Sequence, residues 1–245
     1  LPIGSIIVER YYARYTDCLL LMNEEDFERG SKFHVRGKTE YIPGIGMKPL
    51  PTAVESFDLH KEYKIPQDAK IIVSVGEMTE RKNHQRIIKT MDRFRRLPFV
   101  YVICGSGPLE NELHRMVKEM HLQKKVIFTG YCDTVADVLR QADVFAFPSL
   151  QEGLPVAVME AMQAGLPVVG LNIRGNRDLI ENKKGGFLLE EDIEEGYAGA
   201  LQYLLKHPEE AARMGQWNRK RVKKFSMEKV DNKMRKIYAE LERES

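Results

Sequence analysis

Cysteine is scarce in this chain. Cys18, Cys104 and Cys132 are the only three in 245 residues. They lie far apart and form no C-x-x-C pair, which argues against a structural zinc site and fits a reducing compartment. A large excess of one charge is also lacking. Lys plus Arg number 38 and Asp plus Glu 36, for a net charge of +2, whereas a dedicated nucleic-acid binder carries a strong basic excess. There is no long hydrophobic run. The longest apolar stretch, 154–171, is broken by Pro155, Glu160, Gln163 and Pro167, and a spanning helix needs about 20 mostly apolar residues. The apolar start, 1–8, is too short for a secretory signal and is ended by Glu9 and Arg10. H-E-x-x-H, D-x-D and cysteine–histidine patterns are missing, so no metal site is expected. The P-loop motif is missing too. The first residue is Leu1 rather than Met, which leaves two expectations: a processed chain, or the C-terminal part of a longer one.

What is present reads as a globular α/β protein. Hydrophobic residues make up 43% and charged residues 30%, the proportions of an ordinary soluble domain. The length suits one full domain plus a remnant, or two small ones. Helix-like and strand-like segments alternate throughout, the pattern of a doubly wound parallel sheet. Residues 3–16 predict the end of a helix, 18–22 a buried strand, Asn23 the cap of a helix to about Phe33, and 39–42 a short strand. Proline and glycine then cluster at Pro43, Gly44, Gly46, Pro49 and Pro51, marking a boundary.

Beyond the boundary, strands are expected at 71–75, 99–104, 126–129, 143–147 and 167–170, with helices at about 84–94, 109–120, 134–141 and 155–164 and more after 192. These βα units make one doubly wound domain whose ligands bind outside the carboxyl ends of the strands. The expected division is a remnant of a first Rossmann-like domain at 1–47, a linker at 48–66, a ligand-binding domain at 67–225 and a terminal helix at 226–245.

Three segments carry candidate chemistry. Gln151-Glu-Gly-Leu-Pro155 joins a strand to a helix, and Pro155 suits the first helical position. No Ser, Thr, Asp or Asn stands just before it, so the helix start is an anion site or is capped by water. Gly153 would let a phosphate approach the backbone closely. Glu160 lies in a helix that is apolar on nearly every side, where an unpaired carboxylate is costly. It holds the two hydroxyls of a ribose, pairs with Arg174 or Arg177, or lies on a helix edge that meets solvent. Arg81 and Lys82 precede a helix start, with Arg86 in its first turn, where cations oppose the dipole unless an anion lies between. The alternative is a solvated loop.

Weaker signals stay outside the site. His84 is expected to be a surface or capping residue. Gly105-Ser-Gly107 fails as a dinucleotide fingerprint, because Glu110 stands where the third glycine belongs. The basic run Arg219–Lys224 is expected to be a solvated helix face, with contact to anionic lipid as the other reading.

Taken in order, these residues resemble one family. Glu152 and Glu160 form E-x7-E within Pro148-Ser-Leu-Gln-Glu-Gly-Leu-Pro-Val-Ala-Val-Met-Glu-Ala-Met162, followed by Gly165-Leu-Pro-Val-Val169. This resembles the donor-site signature of retaining GT-B glycosyltransferases of the GT4 family. Gly76 with Lys82 matches the family's G-x5-K, and Gly105-Ser-Gly107 and Phe128-Thr-Gly130 match its nucleotide-side loops. Arg174-Gly-Asn-Arg-Asp178 is similar to a stretch of bacterial capsule and exopolysaccharide enzymes. The resemblance runs from about Ile71 to Gly186.

The resemblance implies two facing Rossmann-like domains, the C-terminal one binding a nucleotide-sugar, UDP-linked, as co-substrate without a metal or other cofactor. It gives Lys82 the diphosphate, Glu160 the ribose hydroxyls and Glu152 the donor sugar. It sets the Gly153–Leu154 amides and Pro155 at phosphate or sugar, and Tyr131 with the Gly105–Gly107 loop beside the base. It further implies a polysaccharide or lipid-linked acceptor, a cytoplasmic site of action with peripheral contact at the inner face of the plasma membrane, and no nucleic-acid partner. The family often carries Arg directly after the first glycine. Glu77 stands there instead, so that contact is not carried over, and Arg81 is the nearby substitute. Most of the acceptor domain is absent from the sequence, so the chain is expected to hold a donor site and to lack turnover by itself. Rival expectations are a nucleotide-sugar epimerase of GT-B fold, a non-catalytic nucleotide-sugar binding module and, more remotely, a dinucleotide oxidoreductase.

Overall fold

The computed structural model describes residues 3–54 and 57–244. The chain forms two compact units, Leu1–Lys48 with Lys223–Ser245 and Pro49–Val222.

In the first unit, helix α1 (Ile3–Ala13), strand β1 (Cys18–Leu21), helix α2 (Glu24–Gly30) and strand β2 (Lys38–Tyr41) follow in order, and β1 and β2 pair in parallel. The Asn23 side chain accepts the Asp26 amide at 2.8 Å and so caps α2. Glu24, Glu25 and Asp26 fill its first turn, where carboxylates favour the dipole. The last helix of the chain (Met227–Glu244) belongs to this unit. Its start is held by two backbone bonds, Met47 N–H to Phe225 O at 2.8 Å and Met227 N–H to Met47 O at 3.0 Å. Gly46 turns the chain there with φ +85°, and a Cβ on it would fall 2.7 Å from the Met227 Cα.

The second unit carries helix α3 (Leu59–Glu62), strand β3 (Lys70–Val75), helix α4 (His84–Thr90) with a following 3-10 turn, strand β4 (Phe99–Cys104), helix α5 (Glu110–Glu119), strand β5 (Val126–Gly130), helix α6 (Val135–Gln141) and strand β6 (Val144–Phe147). Helix α7 (Val156–Ala164), strand β7 (Val168–Leu171), helix α8 (Arg174–Leu179), strand β8 (Gly186–Leu189), helix α9 (Glu194–Lys206) and helix α10 (Pro208–Arg221) complete it. The six strands lie in the order β5-β4-β3-β6-β7-β8, all parallel. This is the α/β doubly wound sheet expected from the sequence.

Strand composition explains the central positions. Ile72, Val144, Ala146 and Val169 pack into one core cluster with Ile87, Leu113, Tyr197 and Leu201 from the helices. Their neighbours Ile71, Val73, Phe145 and Val168 are equally buried, so the sheet is covered on both faces. Each such side chain contributes about 1.5–3 kcal/mol by leaving water.

Some elements were not legible. Strand β8 has only four residues and opens on Gly186, whose Cβ would lie 1.9 Å from the Val168 carbonyl oxygen. Close approach to β7, rather than β propensity, specifies it. The segment expected as a linker is packed into the second unit from residue 49 onward. The Val54 amide donates to Asp137 at 3.1 Å, the Leu59 amide to Gln141 at 2.8 Å, and Leu59 is fully buried. The basic run is partly consumed by helix ends. Arg219 donates to the Ala164 carbonyl at the end of α7, and Arg221 to the Asp178 and Leu179 carbonyls at the end of α8.

Candidate active site

The sheet changes direction between β3 and β6, and a doubly wound sheet binds ligands at that switch point, outside the carboxyl ends of the strands. Two loops meet there, 76–83 after β3 and 148–155 after β6. They are tied by backbone: the Leu150 amide donates to the Arg81 carbonyl at 2.9 Å.

The loops bring opposite charges together. Lys82 Nζ lies 2.8 Å from Glu152 Oε1, and Arg81 Nη1 lies 2.7 Å from the same oxygen. The Ser149 hydroxyl donates to it as well, at 2.7 Å. The Lys82 and Glu152 side chains are only 15% and 11% exposed, so this pair is poorly screened by solvent. The Lys82 ammonium also lies over the Phe147 ring, 5.0 Å from its centroid. Gly76 leaves room for the lysine stem, since a Cβ there would meet Lys82 Cδ and Cε at 3.3 Å.

Arg86 does not join them, contrary to the expected cluster of three cations. It forms a two-pronged ion pair with Asp192, at 2.9 and 3.0 Å. Asn83 donates to the same carboxylate at 3.1 Å. Asp192 stands just after β8, more than a hundred residues beyond Arg86, so no local spacing signalled it.

The start of α7 is open. Pro155 occupies the cap position with ψ 118°, and no side chain caps the helix. Its extended ψ excludes it from the first turn, so Val156 rather than Pro155 begins the helix. Proline brings no N–H of its own, and the free amides of the first turn follow it. A Cβ on Gly153 would meet nothing within 4 Å. Gly175 is the opposite case: its Cβ would lie 2.4 Å from the Gly153 carbonyl oxygen, so α8 can press against this loop only through a glycine. Arg174 Nε donates to the Glu152 carbonyl at 3.3 Å.

Glu160 sits one turn into α7, half-buried. Burial alone raises its carboxyl above the usual carboxylate range. Among the described residues no ion pair or hydrogen bond reaches it, and the expected alternative of pairing with Arg174 or Arg177 is not realised.

Gly105 and Gly107 serve close packing. A Cβ on Gly105 would fall 2.2 Å from the Gly76 carbonyl oxygen, and one on Gly107 would fall 2.6 Å from the Met78 nitrogen. The loop after β4 is thereby pressed against the loop after β3. Tyr131 follows the turn at Gly130 (φ +65°) and is 83% exposed.

His84 corrects the expectation of a surface residue. It is 3% exposed. Its Nδ1 faces the Tyr101 hydroxyl at 3.5 Å, which donates to Ser74 Oγ at 2.8 Å, which donates in turn to the Ala146 carbonyl at 2.5 Å. Polar residues inside the apolar core gave no periodic signal. Ser149 also escaped sequence reasoning, because a serine at a strand end reads as ordinary turn chemistry.

Among the described residues no group of His, Cys, Asp or Glu is arranged to hold a metal ion, and no helix is long and apolar enough to cross a membrane.

The comparisons agree with this layout. EpsD of Bacillus subtilis (strain 168), named as a glycosyltransferase, is 29% identical over 240 residues, covering 95% of this chain and 63% of its own length. An Escherichia coli UDP-Gal:alpha-D-GlcNAc-diphosphoundecaprenol alpha-1,3-galactosyltransferase is 30% identical, over 79% of this chain and 52% of its own. The chain thus spans only about half to two thirds of these relatives. Among solved structures, the sucrose-phosphate synthase of Thermosynechococcus elongatus superposes with TM-score 0.85 at 24% identity, covering 99% of this chain and 62% of its own. S. aureus TarM, solved in a complex that includes UDP, gives TM-score 0.80 at 22% identity, covering 96% and 46%. At these identities the likeness shows the fold, which is that of GT-B glycosyltransferases. The model of one family, described as glycosyl transferases group 1, matches residues 55–221, and the chain belongs to that family.

Proposed function

We propose that this chain carries the donor site of a retaining glycosyltransferase, which moves a sugar from a UDP-sugar to a polysaccharide or lipid-linked glycan acceptor. One observation carries the reading: Lys82 and Arg81 converge, at the switch point of the sheet, on the loop that leads into the uncapped start of α7. Two cations and a row of free amides suit a diphosphate. Support for the nucleotide comes from relatives: TarM and Anabaena HepE were solved with UDP, HepE also with UDP-glucose.

In this reading the bond between the sugar C1 and the diphosphate oxygen breaks, and negative charge grows on the departing diphosphate. Lys82, Arg81 and the amides beyond Pro155 are already in place to stabilise it, so little reorganisation is needed. The acceptor hydroxyl attacks C1 from the leaving-group face and gives its proton to the departing phosphate oxygen, which retains the anomeric configuration. Glu160 holds the ribose hydroxyls. Tyr131 and the Gly105–Gly107 loop border the base. Glu152, released by the cations when the diphosphate arrives, faces the donor sugar with the Gly153–Leu154 backbone. Relatives named for a diphosphoundecaprenol acceptor and for lipopolysaccharide core biosynthesis support a lipid-linked glycan. Work at the inner face of the plasma membrane follows from such an acceptor.

Thermal unfolding with UDP, GDP, UDP-sugars and NADH in excess tests this. Ligand at 100 times its dissociation constant adds about 2.7 kcal/mol of stability. UDP or a UDP-sugar is expected to raise Tm, and Lys82→Ala and Glu160→Ala to abolish the rise. A response to NADH alone, or to no nucleotide, would overturn the proposal.

A further inference from the structure

Lys82 is followed at once by a residue in an uncommon conformation. Asn83 has φ 55° and ψ 36°, in the left-handed region, and is buried. Among residues with a Cβ, asparagine enters that region more readily than most, as a single residue and at some cost. The turn it makes separates two neighbours with different fates. Lys82 reaches Glu152 at the carboxyl end of the sheet, whereas His84 is packed in the core. The Asn83 amide donates to the Thr79 carbonyl at 3.1 Å, and the Lys82 amide meets the Thr79 hydroxyl at 3.3 Å, so the backbone on both sides of the lysine is pinned.

What holds the Asn83 side chain comes from far along the sequence. Its amide donates to Asp192 Oδ2 at 3.1 Å and to the Pro148 carbonyl at 3.4 Å. Arg86 Nε and Nη2 donate to the two oxygens of the same carboxylate, at 2.9 and 3.0 Å. The Arg86 amide closes the circle by donating to the Asn83 carbonyl at 2.9 Å. Asn83 lies in the loop after β3, Pro148 directly after β6, and Asp192 just after β8. Three strand ends are thereby tied at one asparagine. The ion pair between Arg86 and Asp192 is partly buried, so solvent screens it only in part. A planar guanidinium on both carboxylate oxygens also fixes the direction in which Asp192 meets Asn83.

We propose that Asp192 is a positioning residue, which acts through Asn83 to hold the left-handed turn that aims the Lys82 ammonium into the site. A lysine head sits on a flexible four-carbon stem, so its placement depends on where the stem starts. Without the latch Lys82 keeps its charge, but its ammonium spreads over more positions. A cation already in place stabilises a diphosphate better than one that must be ordered on binding. The effect on the diphosphate rests on the donor-site reading above. The effect on Lys82 itself does not.

Two measurements on the full chain test the latch. The first compares the native protein with Asp192→Asn, which keeps the shape and removes the charge. UDP and uridine are titrated against both. UDP is expected to bind about 10-fold more weakly to the variant, and uridine, which has no phosphate for Lys82, within about twofold of native. Equal losses for both ligands would mean that Asp192 only supports the fold, and would overturn the proposal. The second measurement needs no ligand. Lysines are acylated with an amine-selective reagent, and the rate at each is read by peptide mapping. Lys82 is expected to react several-fold faster in Asp192→Asn, with Lys89 on α4 unchanged. An unchanged Lys82 rate, or a uniform rise at both lysines, would overturn the proposal. Should Asp192→Asn not fold, Asn83 carries the comparison. Asn83→Gly accepts the left-handed turn without a side chain and is expected to keep Lys82 slower to react than Asn83→Ala, which resists that turn; equal rates in the two would overturn the proposal. Failure of the native protein to bind UDP would instead remove the donor-site reading, and the acylation rates would still decide the role of Asp192.

Discussion

Lys82 Nζ lies 2.8 Å from Glu152 Oε1, and that one oxygen also receives Arg81 and Ser149. The carboxylate occupies the two cations that a diphosphate would use. Binding a diphosphate is therefore an exchange of anions, and the departing Glu152 charge opposes it. Glu152→Gln removes the competitor while keeping the shape. UDP is expected to bind about 3- to 10-fold tighter to the variant by calorimetry, up to 1.4 kcal/mol, and any donor turnover to fall. Weaker UDP binding in Glu152→Gln would mean that the carboxylate supports the diphosphate rather than competing with it.

Glu160 is half-buried, among the described residues no ion pair reaches it, and burial raises its carboxyl. A raised carboxyl takes up a proton more readily folded than unfolded. Its ionised form therefore costs stability at neutral pH, and the cost is relieved as pH falls through the folded value toward the unfolded one. Glu160→Gln is expected to raise Tm at pH 7 by about 2 °C and to flatten this part of the acid profile. The same variant is expected to lose discrimination between UDP and 2′-deoxy-UDP, which the native protein should favour by about 1.5–3 kcal/mol through hydrogen bonds to a charged oxygen. Equal preference in both proteins would remove the ribose from Glu160.

Two glycines separate packing from ligand approach. Gly105 has φ +141° and would drive a Cβ to 2.2 Å from the Gly76 carbonyl oxygen. Gly105→Ala is expected to cost about 3 kcal/mol in urea unfolding. Gly153 has open space around its Cβ position. Gly153→Ala is expected to leave stability within about 0.5 kcal/mol but to weaken UDP several-fold, because the added methyl lies where a phosphate approaches. Unchanged UDP binding in Gly153→Ala would separate this loop from the ligand.

The strands, the order of loops and most of the charged site were legible because each rests on a local signal. β-branched runs ended by glycine mark β3 and β4, and the spacing of Glu152, Glu160 and Lys82 survives in a single chain. What stayed hidden depends on contacts far apart in sequence. Arg86 reads as a third cation until Asp192, more than a hundred residues later, claims it. Gly105 and Gly107 fail as a dinucleotide fingerprint and match only a nucleotide-side loop, and nothing local shows that both pack on the backbone of Gly76 and Met78. Strand β8 is too short for a periodic signal, and it forms because Gly186 fits beside Val168. His84 reads as a surface group because nothing local reveals that Tyr101 and Ser74 wait for it in the core.

That buried histidine gives the last prediction. His84 is packed behind the 76–83 loop and lies in a chain of polar contacts through Tyr101 and Ser74 to the Ala146 carbonyl. Burial pushes its imidazole down to about 4, with a smaller push in the same direction from Lys82, although the Gly76 and Glu77 backbone favours the charged form. The folded value thus lies below the unfolded one of 6.5. Between the two, the unfolded chain binds more protons, so stability is full above about pH 6.5 and falls as pH drops toward 4. The loss is about 2 kcal/mol at pH 5 and approaches about 3 kcal/mol below the folded value. Urea unfolding at pH 7 and pH 5 measures it. In His84→Gln, which cannot take the proton, the difference between the two pH values is expected to shrink by about 2 kcal/mol, even though the variant is less stable at pH 7 from imperfect packing. An unchanged difference would place the acid sensitivity on another group. Because His84 touches the backbone that carries Gly76, its protonation should also loosen the seat of Lys82. UDP affinity is therefore expected to fall as pH approaches the folded value of about 4, more steeply in the native protein than in His84→Gln.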